Sequence, residues 1–433
     1  MMKRILATTC LVCIAMLSIA QTSYQPTPEN LKNREDFQDR KFGMFIHWGI
    51  YSLLADGEWV MFQKKIPYNK YSRIANAFYP HDFNALDWVR IAKAAGMKYI
   101  TITSRHHDGF SMFDTKASSY DIIDATPFKK DPLKELAAAC KQEGLKLNFY
   151  YSLLDWGRSD YGFGKKIVNG KPEDTDWDSY INFMKTQLTE LLTNYGDVVS
   201  GIWFDGDWER KDVNWHYDEI YALIHRLRPE VMISNNHHSD LKPGEDYQAF
   251  EKDLPGSNSH GWGSGSVSAQ VPLETCETIN FSWGFNITDK GFKTVPTLIQ
   301  YLVKAAGHNA NFLLNVGPQA DGKIQAEFID TLKKVGEWLS QNGESIYGTR
   351  GGIIPAQDWG TVTAKDKKLF VHILKAPTQD FILLPRLTQK IATVQWLVNK
   401  KALKWKQQPE GIFIYLDGLD ASSPDQVIDV TLK

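Results

Sequence analysis

The chain has 433 residues, so one large domain with a smaller second domain is the expected organisation. Its formal net charge is only -2 although it contains 14 Trp and 18 Tyr, and this balance argues against a nucleic-acid-binding surface. An aromatic-rich, nearly neutral chain is compatible with a protein that stacks its rings on sugars.

The first 20 residues have the pattern of a secretory signal peptide. A basic start precedes an apolar centre over residues 5–20, and the small residues Ser18 and Ala20 stand three and one positions before the predicted cleavage at Gln21. No later segment approaches 18 uninterrupted apolar residues, so no membrane insertion is expected. No cysteine stands directly after the predicted cleavage site, so we expect a periplasmic or secreted protein without a lipid anchor.

From residue 41 to residue 236, short apolar runs alternate with amphipathic segments that stop at glycine or proline. The predicted strands cover residues 41–49, 98–109, 146–156, 201–205 and 231–236. Predicted helices lie between them, at residues 82–95, 132–143, 177–195 and 215–228. Such alternation predicts parallel strands joined by right-handed crossovers.

The pattern is weaker after residue 236, where residues 254–268 are rich in Gly, Ser and Asn and predict a long loop. Strands resume at residues 274–280 and 309–318, with helices at 295–306 and 325–340. Seven strand signals favour a (β/α)8-like TIM barrel with one irregular strand. Alternating runs at residues 368–374, 392–398 and 411–416 indicate a small C-terminal antiparallel β-sandwich. The predicted division is therefore residues 1–20, signal peptide; 21–348, catalytic barrel; 349–433, sandwich.

The stretch at residues 201–208, GIWFDGDW, runs from buried apolar residues straight into a carboxylate. Asp205 would stand at the C-terminal tip of a barrel strand, where such barrels carry their chemistry; the alternative is an Asp that only caps the next helix. Polar and aromatic residues end the other strands too: His47 and Trp48, His106 and His107, Tyr150 and Tyr151, and residues 235–238. Adjacent His106 and His107 would point to opposite sides of an extended chain, and no metal or cofactor signature emerges.

If Asp205 serves in glycoside cleavage, the reaction requires a second carboxyl group. The candidates are Glu251, Glu274 and Glu277 in the later part of the barrel, with Glu58 in its first loop. Glu274 follows an apolar flank that would raise the pKa of a general acid. The spacing does not choose between Glu274 and Glu251.

Six motifs occur in an order that resembles the α-L-fucosidases of glycoside hydrolase family 29. They are FGMFIHWG, GEW at 57–59, RHHDGF at 105–110, WFDG at 203–206, ETC followed by SWGF at 282–285, and NFLLNVGP at 311–318. The resemblance covers residues 36–347. It implies that Asp205 is the nucleophile and Glu274 the acid/base, and that the sugar pocket contains His47, Glu58, Trp59, His106, His107, Tyr151 and Trp283. Where many relatives have Asn-Asp-Arg-Trp, this chain has SNNHH at 234–238, so His237 falls near the missing Arg.

The resemblance implies an exported, cofactor-independent enzyme that releases terminal α-L-fucosyl residues from fucosylated glycans with retention of configuration. A pocket of aromatic edges and His and Tyr donors suits a sugar with one apolar methyl group and several hydroxyls. Two other functions are weighed against it: a fucose-binding protein on a barrel without activity, and a metal-dependent hydrolase that uses the histidines. The sequence does not indicate the oligomeric state.

Overall fold

The structure is a computed structural model, and it describes residues 24–263 and 265–433. The predicted signal peptide, residues 1–20, lies outside the described residues. Within those two ranges, no helix is both long enough and apolar enough to span a bilayer.

Eight parallel strands form the centre of the molecule, which confirms the predicted TIM-like barrel. Their order in the sheet is β5-β4-β3-β2-β1-β8-β7-β6. The strands are β1 (Phe42–Ile46), β2 (Tyr99–Arg105), β3 (Lys146–Ser152), β4 (Val199–Asp205), β5 (Met232–Asn235), β6 (Gln248–Glu251), β7 (Leu273–Thr278) and β8 (Ala310–Val316).

The two edge strands, β5 and β6, are joined through the backbone and the side chain of Asp246 and not by a regular ladder. Asp246 donates its backbone N–H to the Ile233 carbonyl at 2.7 Å, and its Oδ2 accepts the Ile233 N–H at 2.7 Å. The buried carboxylate is also paired with Arg34, whose Nη2 lies 2.5 Å from Oδ1. Asp246 thus takes the place of a backbone partner at the seam and closes the barrel.

The strand β6 was not among the seven predicted strands. Its sequence, Gln-Ala-Phe-Glu, contains a single large apolar residue; Gln248 is buried and the other three residues are partly buried. A half-buried four-residue strand lacks the apolar run on which strand prediction depends.

Helices pack around the barrel, and six of the seven long ones lie within three residues of their predicted bounds, whereas the helix at Pro28–Arg40 was not predicted. The long ones are α1 (Pro28–Arg40), α2 (Ala85–Ala94), α3 (Pro132–Glu143), α4 (Trp177–Thr193), α5 (Tyr217–Leu227), α6 (Val295–Gly307) and α7 (Ala326–Asn342). In α3, for example, the Asp131 side chain accepts the Lys134 N–H, and Gly144 ends the helix at φ 78°, a left-handed conformation that favours glycine. Helices of one or two turns lie in the loops, at Ile50–Leu53, Val60–Gln63, Tyr68–Tyr71, Ser72–Ala77, Asp207–Arg210 and Gly343–Ser345.

Neighbouring residues of a barrel strand belong to two different cores. An aromatic cluster fills the barrel interior and includes Phe45, Tyr99, Tyr150 and Trp203. A larger cluster between the strands and the helices contains Ile46, Phe149, Tyr151 and Phe204. This division arises because side chains alternate along a strand. Every second residue of a strand therefore faces the barrel interior, and the residues between face the helices.

The C-terminal part forms two antiparallel sheets with their own hydrophobic core. The five-stranded sheet has the order β9-β10-β11-β16-β13, and the three-stranded sheet has the order β12-β15-β14. The strands are β9 (Arg350–Gly351), β10 (Gly360–Lys365), β11 (Lys368–Ile373), β12 (Phe381–Pro385), β13 (Ile391–Trp396), β14 (Trp405–Gln408), β15 (Gly411–Tyr415) and β16 (Gln426–Leu432). The predicted division at residues 348/349 falls between α7 and β9.

Candidate active site

A cavity opens at the C-terminal ends of the barrel strands, and it measures about 320 Å³ when the open space at its mouth is included. Its walls are Phe45, His47, Glu58, Trp59, His106, His107, Tyr150, Trp203, Asp205, Asn236, Glu251, Cys276 and Trp283. Seven of the ten residues predicted for the site are therefore brought together here.

Asp205 ends β4 and is held by side chains from three neighbouring segments. Its Oδ2 accepts the Tyr150 hydroxyl at 2.7 Å, and its Oδ1 accepts the Trp208 indole N–H at 3.1 Å and an Asn236 amide N–H at 3.3 Å. The short helix that follows is preceded by Gly206 and has no side-chain cap. Asp205 thus faces the cavity, and the alternative of a helix-capping Asp does not hold.

Gly206 lets the chain turn away directly behind Asp205. Its φ is 93°, and a Cβ at this position would stand 2.7 Å from Leu154 Cβ and 2.9 Å from Leu154 N. Both the conformation and the close approach require glycine. The Asp-Gly pair of the sequence therefore presents the carboxylate at the strand tip.

Asn236 joins Asp205 to a second carboxyl group, Glu251. The same amide nitrogen that donates to Asp205 Oδ1 at 3.3 Å also donates to Glu251 Oε2 at 2.8 Å. These two oxygens therefore lie no more than roughly 6 Å apart, an upper limit that is compatible with the ~5–5.5 Å between the carboxyl groups of retaining glycosidases. Inverting enzymes need ~6.5–9.5 Å to admit a water molecule.

The pKa of Glu251 is raised to about 7, first by burial and then by the negative charge of Asp205. The Asn236 amide and the positive charge of Lys252 act in the opposite direction. A carboxyl group with this pKa holds its proton near neutral pH and releases it readily, as a general acid must.

His106 and His107 both line the cavity, which corrects the expectation that they face opposite sides. The strand β2 ends at Arg105, so the two histidines lie in the turn after it, and their rings are 4.1 Å apart. The His107 Nε2 lies 3.7 Å from Asp205 Oδ2. Alternation along an extended chain does not apply beyond the end of a strand.

The cavity histidines are neutral near pH 7. Burial lowers the pKa of His47 to about 3 and that of His107 to about 4, and it lowers the pKa of His106 well below its ordinary value. The Ser152 hydroxyl donates to the Leu154 carbonyl, so its oxygen accepts from His107 Nδ1 at 2.7 Å. By this assignment Nδ1 carries the proton and Nε2 is an acceptor.

His47 has the same tautomer for a similar reason. The Asn315 amide donates to the Trp283 carbonyl at 2.7 Å, which leaves its oxygen to accept from His47 Nδ1 at 2.7 Å. Across the opening, the Glu58 carboxylate accepts the Gly284 N–H at 2.7 Å, and burial raises the pKa of Glu58. The cavity therefore offers several acceptors to hydroxyl groups.

Three predicted site residues do not line the cavity. Tyr151 points away from the barrel interior, and its hydroxyl donates to Gln187 of α4 at 2.9 Å; the preceding residue, Tyr150, faces the cavity in its place. His237 is directed to Glu245, with Nε2 3.1 Å from both carboxylate oxygens, and Asn236 takes the position beside the carboxylates.

Glu274, the predicted acid/base, is the third of these residues. It is 1% exposed and lies at the second position of β7, near the beginning of the strand and so away from the opening. Its two oxygens accept the Tyr99 hydroxyl at 2.5 Å and the Trp203 indole N–H at 3.1 Å. Burial raises the pKa of Glu274 to about 7. The apolar residues before it, which led us to expect a general acid, place it in the barrel interior and not in the cavity.

Three residues that line the cavity, Phe45, Tyr150 and Trp203, were not predicted as site residues, although the sequence contains a signal for them. Trp203 stands two positions before Asp205, and Tyr150 is paired with Trp203 in the register of β3 and β4. Phe45 likewise stands two positions before His47. The period of two along a strand therefore identifies these interior residues once one inward residue is known.

No group of three or more His, Cys, Asp or Glu side chains is arranged to hold a metal ion within residues 24–263 and 265–433. The two cysteines in those ranges, Cys140 and Cys276, are buried and free.

Comparison with known proteins gives consistent matches along most of the chain. The family model described as alpha-L-fucosidase matches residues 11–344. The plasma alpha-L-fucosidases of Pongo abelii and Homo sapiens are each 30% identical to the chain, over 92% of its length and 90% and 89% of theirs.

Solved structures match at the level of the whole chain. Alpha-L-fucosidase isoenzyme 1 from Paenibacillus thiaminolyticus is 33% identical with a TM-score of 0.81, over 94% of this chain and 100% of that one. The alpha-fucosidase of Thermotoga maritima is 26% identical with a TM-score of 0.73, over the same shares. A Bacteroides thetaiotaomicron enzyme trapped as a covalent intermediate has the same fold at 24% identity, with a TM-score of 0.80 over 95% of this chain and 97% of that one.

Proposed function

The chain belongs to the α-L-fucosidase family, glycoside hydrolase family 29, and on this premise we propose the residues and the mechanism by which it acts. It is a glycoside hydrolase that acts on α-L-fucosides. The proposal is that it hydrolyses terminal α-L-fucosyl residues with retention, with Asp205 as nucleophile and Glu251, in place of Glu274, as acid/base. The observation that carries this proposal is that the Asn236 amide nitrogen donates to both the Asp205 and the Glu251 carboxyl groups.

In the first step Asp205 attacks C1 of the fucosyl group while Glu251 donates its proton to the departing oxygen. The sugar then forms an ester with Asp205, and the leaving group departs as an alcohol. In the second step Glu251, now ionised, takes a proton from water, which attacks C1 and releases Asp205. Two displacements at one carbon retain its configuration.

The side chains around Asp205 keep its carboxylate directed at C1. The Tyr150 hydroxyl and the Trp208 indole each hold a different oxygen, so rotation about the carboxylate bond is restricted. Tyr150 also stacks on Trp203, with the ring centroids 5.5 Å apart. Trp203 is in turn held by Glu274, which makes Glu274 a positioning residue beneath the site.

The neutral histidines fit an uncharged sugar. In their assigned tautomers His47 and His107 offer Nε2 as an acceptor to sugar hydroxyls, and Glu58 adds a carboxylate. Within the described part of the chain, two buried polar atoms of the lining, His106 Nδ1 and Asn236 Oδ1, have no protein partner. Buried polar groups of this kind are normally satisfied by a ligand or by water.

Aromatic rings supply the apolar part of the pocket. Trp283 lies over His47, with ring centroids 5.1 Å apart, and Trp59 is stacked on Trp208 at 5.9 Å. Such walls suit the C–H faces and the methyl group of a fucosyl ring.

The signal-peptide pattern of residues 1–20 supports export to the periplasm or the medium. N-terminal sequencing of the mature protein tests this: cleavage before Gln21 is expected, and a cytoplasmic protein that retains Met1 would contradict it.

The activity is tested with an aryl α-L-fucoside and the variants Asp205→Gly and Asp205→Asn. Wild-type protein should release L-fucose, initially as the α anomer by NMR, with or without a chelator. Both variants should lose several orders of magnitude in turnover, and azide should restore turnover of Asp205→Gly with formation of β-L-fucosyl azide. Near-normal turnover by either variant would contradict the nucleophile. A chelator-sensitive activity would favour the metal-dependent alternative, and fucose binding without turnover by wild-type protein would favour the inactive binding protein.

A further inference from the structure

Lys252 follows Glu251 directly, where β6 ends, and the backbone turns at this residue. Its φ is 55°, a left-handed conformation that is uncommon for residues other than glycine. Its N–H still donates to the Cys276 carbonyl of β7 at 2.8 Å, so the turn begins within the barrel wall. Conformations of this kind cluster at functional sites, and this one adjoins the proposed acid/base.

The ammonium group of Lys252 is held against a wall of the active-site cavity. Its Nζ donates to the Phe281 carbonyl in the loop after β7 at 3.1 Å. It also lies 5.3 Å from the centre of the Trp283 ring, within the range of a cation–π contact. An extended continuation of β6 would direct Lys252 to the side opposite Glu251, and the left-handed turn instead brings its charge to an aromatic ring that lines the cavity.

This charge acts on the carboxyl groups of the cavity. Burial and the negative charge of Asp205 raise the pKa of Glu251, and Lys252 lowers it. Burial likewise raises the pKa of Glu58, and Lys252 lowers it. The His238 Nε2 lies 3.7 Å from Glu251 Oε2, but burial lowers the pKa of this histidine, so it is neutral near pH 7. Lys252 therefore supplies a positive charge to Glu251 at neutral pH.

The two steps of the reaction require opposite states of Glu251. In the first step Glu251 donates a proton, and the negative charge of Asp205 helps to keep that proton in place. In the fucosyl-enzyme Asp205 is an ester without charge, whereas the charge of Lys252 remains. The pKa of Glu251 therefore falls after the first step, and the group is ionised when it must take a proton from water.

We propose that Lys252 is a positioning residue for the second step and acts through Glu251, whose ionised form in the fucosyl-enzyme it stabilises by its fixed positive charge. The inference rests on the proposed function and deepens it, because it names the group that lets one carboxyl serve first as acid and then as base. In this step an O–H bond of water breaks, its proton passes to Glu251, and the water oxygen bonds to C1. The bond from C1 to Asp205 breaks, which restores the Asp205 carboxylate and leaves Lys252 unchanged.

The first test is the variant Lys252→Met with dinitrophenyl α-L-fucoside. Dinitrophenolate departs without a proton, so kcat/KM should stay within about threefold of the wild-type value. The value of kcat, which reports the second step for this substrate, should fall about tenfold near ~pH 5 and approach the wild-type value near ~pH 8, where Glu251 ionises without help. A burst of dinitrophenolate before the slow phase, and a fucosyl ester found on the quenched protein by mass spectrometry, should identify the second step as the slowed one.

The second test is the pH dependence, in which two limits should move in the same direction. Loss of the charge raises the pKa of Glu251 in both states. The acid limit of kcat for the dinitrophenyl substrate and the alkaline limit of kcat/KM for a fucosyl disaccharide should therefore each shift up by about one unit. The same charge acts on His47, but burial holds the pKa of His47 at about 3, so it does not titrate in this range. Lys252→Arg keeps the charge and should restore both limits.

Lys293→Met is the matched control. The Lys293 ammonium is bonded to the same loop, at the carbonyls of Thr278 and Asn280. Its ion-pair partner is Glu277, 3.4 Å away, and not Glu251. This variant removes an anchor of the loop without removing the charge beside Glu251, so it should shift neither limit.

A loss of kcat that is equal at every pH, unchanged limits in Lys252→Met, or the same shifts in Lys293→Met would overturn the role of Lys252. The proposed function fails by different results. These are the absence of turnover by wild-type protein, or an alkaline limit that Glu251→Gln retains.

Discussion

The assignment of the acid/base to Glu251 makes a quantitative prediction for Glu251→Gln. Glutamine keeps the shape of the side chain, and its oxygen can still accept the Asn236 amide N–H that now donates to Oε2 at 2.8 Å. It has no acidic proton to give to the departing oxygen. General acid catalysis contributes about 10²–10⁴-fold, or roughly 3–5 kcal/mol of the barrier. We expect kcat/KM for a fucosyl disaccharide to fall by about this factor.

An activated substrate should escape this loss. Dinitrophenolate departs without protonation, so kcat/KM for dinitrophenyl α-L-fucoside, which reports the first chemical step, should fall less than about tenfold. Azide should then attack the fucosyl-enzyme and give α-L-fucosyl azide, because the attack comes from the side that Glu251 serves.

Glu274→Gln is the matched control, because Glu274 is a buried glutamate whose pKa is also raised to about 7. It accepts from Tyr99 and Trp203, and a glutamine oxygen can keep one of these bonds. Loss of about one hydrogen bond, ~1 kcal/mol, corresponds to a roughly fivefold effect. This loss should be the same for both substrates, because Glu274 acts on the position of Trp203 and not on the leaving group.

The assay is a series of aryl fucosides with leaving groups of graded acidity, together with one disaccharide. A steep dependence on leaving-group acidity is expected for Glu251→Gln and a shallow one, as in wild-type protein, for Glu274→Gln. The reverse result, with α-fucosyl azide formed by Glu274→Gln alone, would refute the reasoning and restore Glu274 as acid/base.

Three further predictions concern pH and positioning. The pKa of Glu251 is about 7 and its protonated form is the active one, so kcat/KM for a disaccharide should fall as pH rises above about 7, and Glu251→Gln should lack this limb. Tyr150→Phe should lower kcat/KM about 10- to 100-fold by removing a hydrogen bond to the Asp205 carboxylate, whereas Tyr151→Phe should change melting temperature and not kinetics; equal kinetic losses would contradict the geometry. Burial raises the pKa of Glu274 from 4.5 to about 7, so the folded state holds this proton more tightly than the unfolded chain, and stability should fall as pH rises between these values. Glu274→Gln should reduce that fall by an amount on the order of 2–3 kcal/mol in urea unfolding at ~pH 5 and ~pH 8, and an unchanged pH dependence would show that Glu274 is not held protonated.

Much of this molecule follows from its sequence because the relevant signals are local. Apolar runs with glycine and proline stops give seven barrel strands and the helices around them. The pair Asp205-Gly206 predicts a carboxylate at a strand tip, since the turn behind it has room only for glycine. The ordered motifs indicate the family from the sequence alone, and the family model confirms it.

The sequence also predicted seven residues of the cavity, and two of its errors concern the direction in which a side chain points. The family resemblance implies Tyr151 for the pocket, whereas the two-residue period from Asp205 through Trp203 and the register of β3 with β4 select Tyr150. The same period predicts that His106 and His107 face opposite sides, which is wrong because both residues lie beyond the end of β2, where the chain is no longer extended. Which face a residue takes depends on where a strand ends, and strand ends are poorly marked in sequence.

Only the tertiary structure decided which glutamate stands opposite Asp205. Glu251 lies on β6, a strand too short and too polar to be recognised from its own residues, and its place in the barrel comes from pairing with β7 and from the seam that Asp246 closes. The apolar residues before Glu274 correctly predict that this side chain is buried. Burial raises the pKa of both groups, and what separates them is access to the cavity, which depends on contacts between residues distant in sequence.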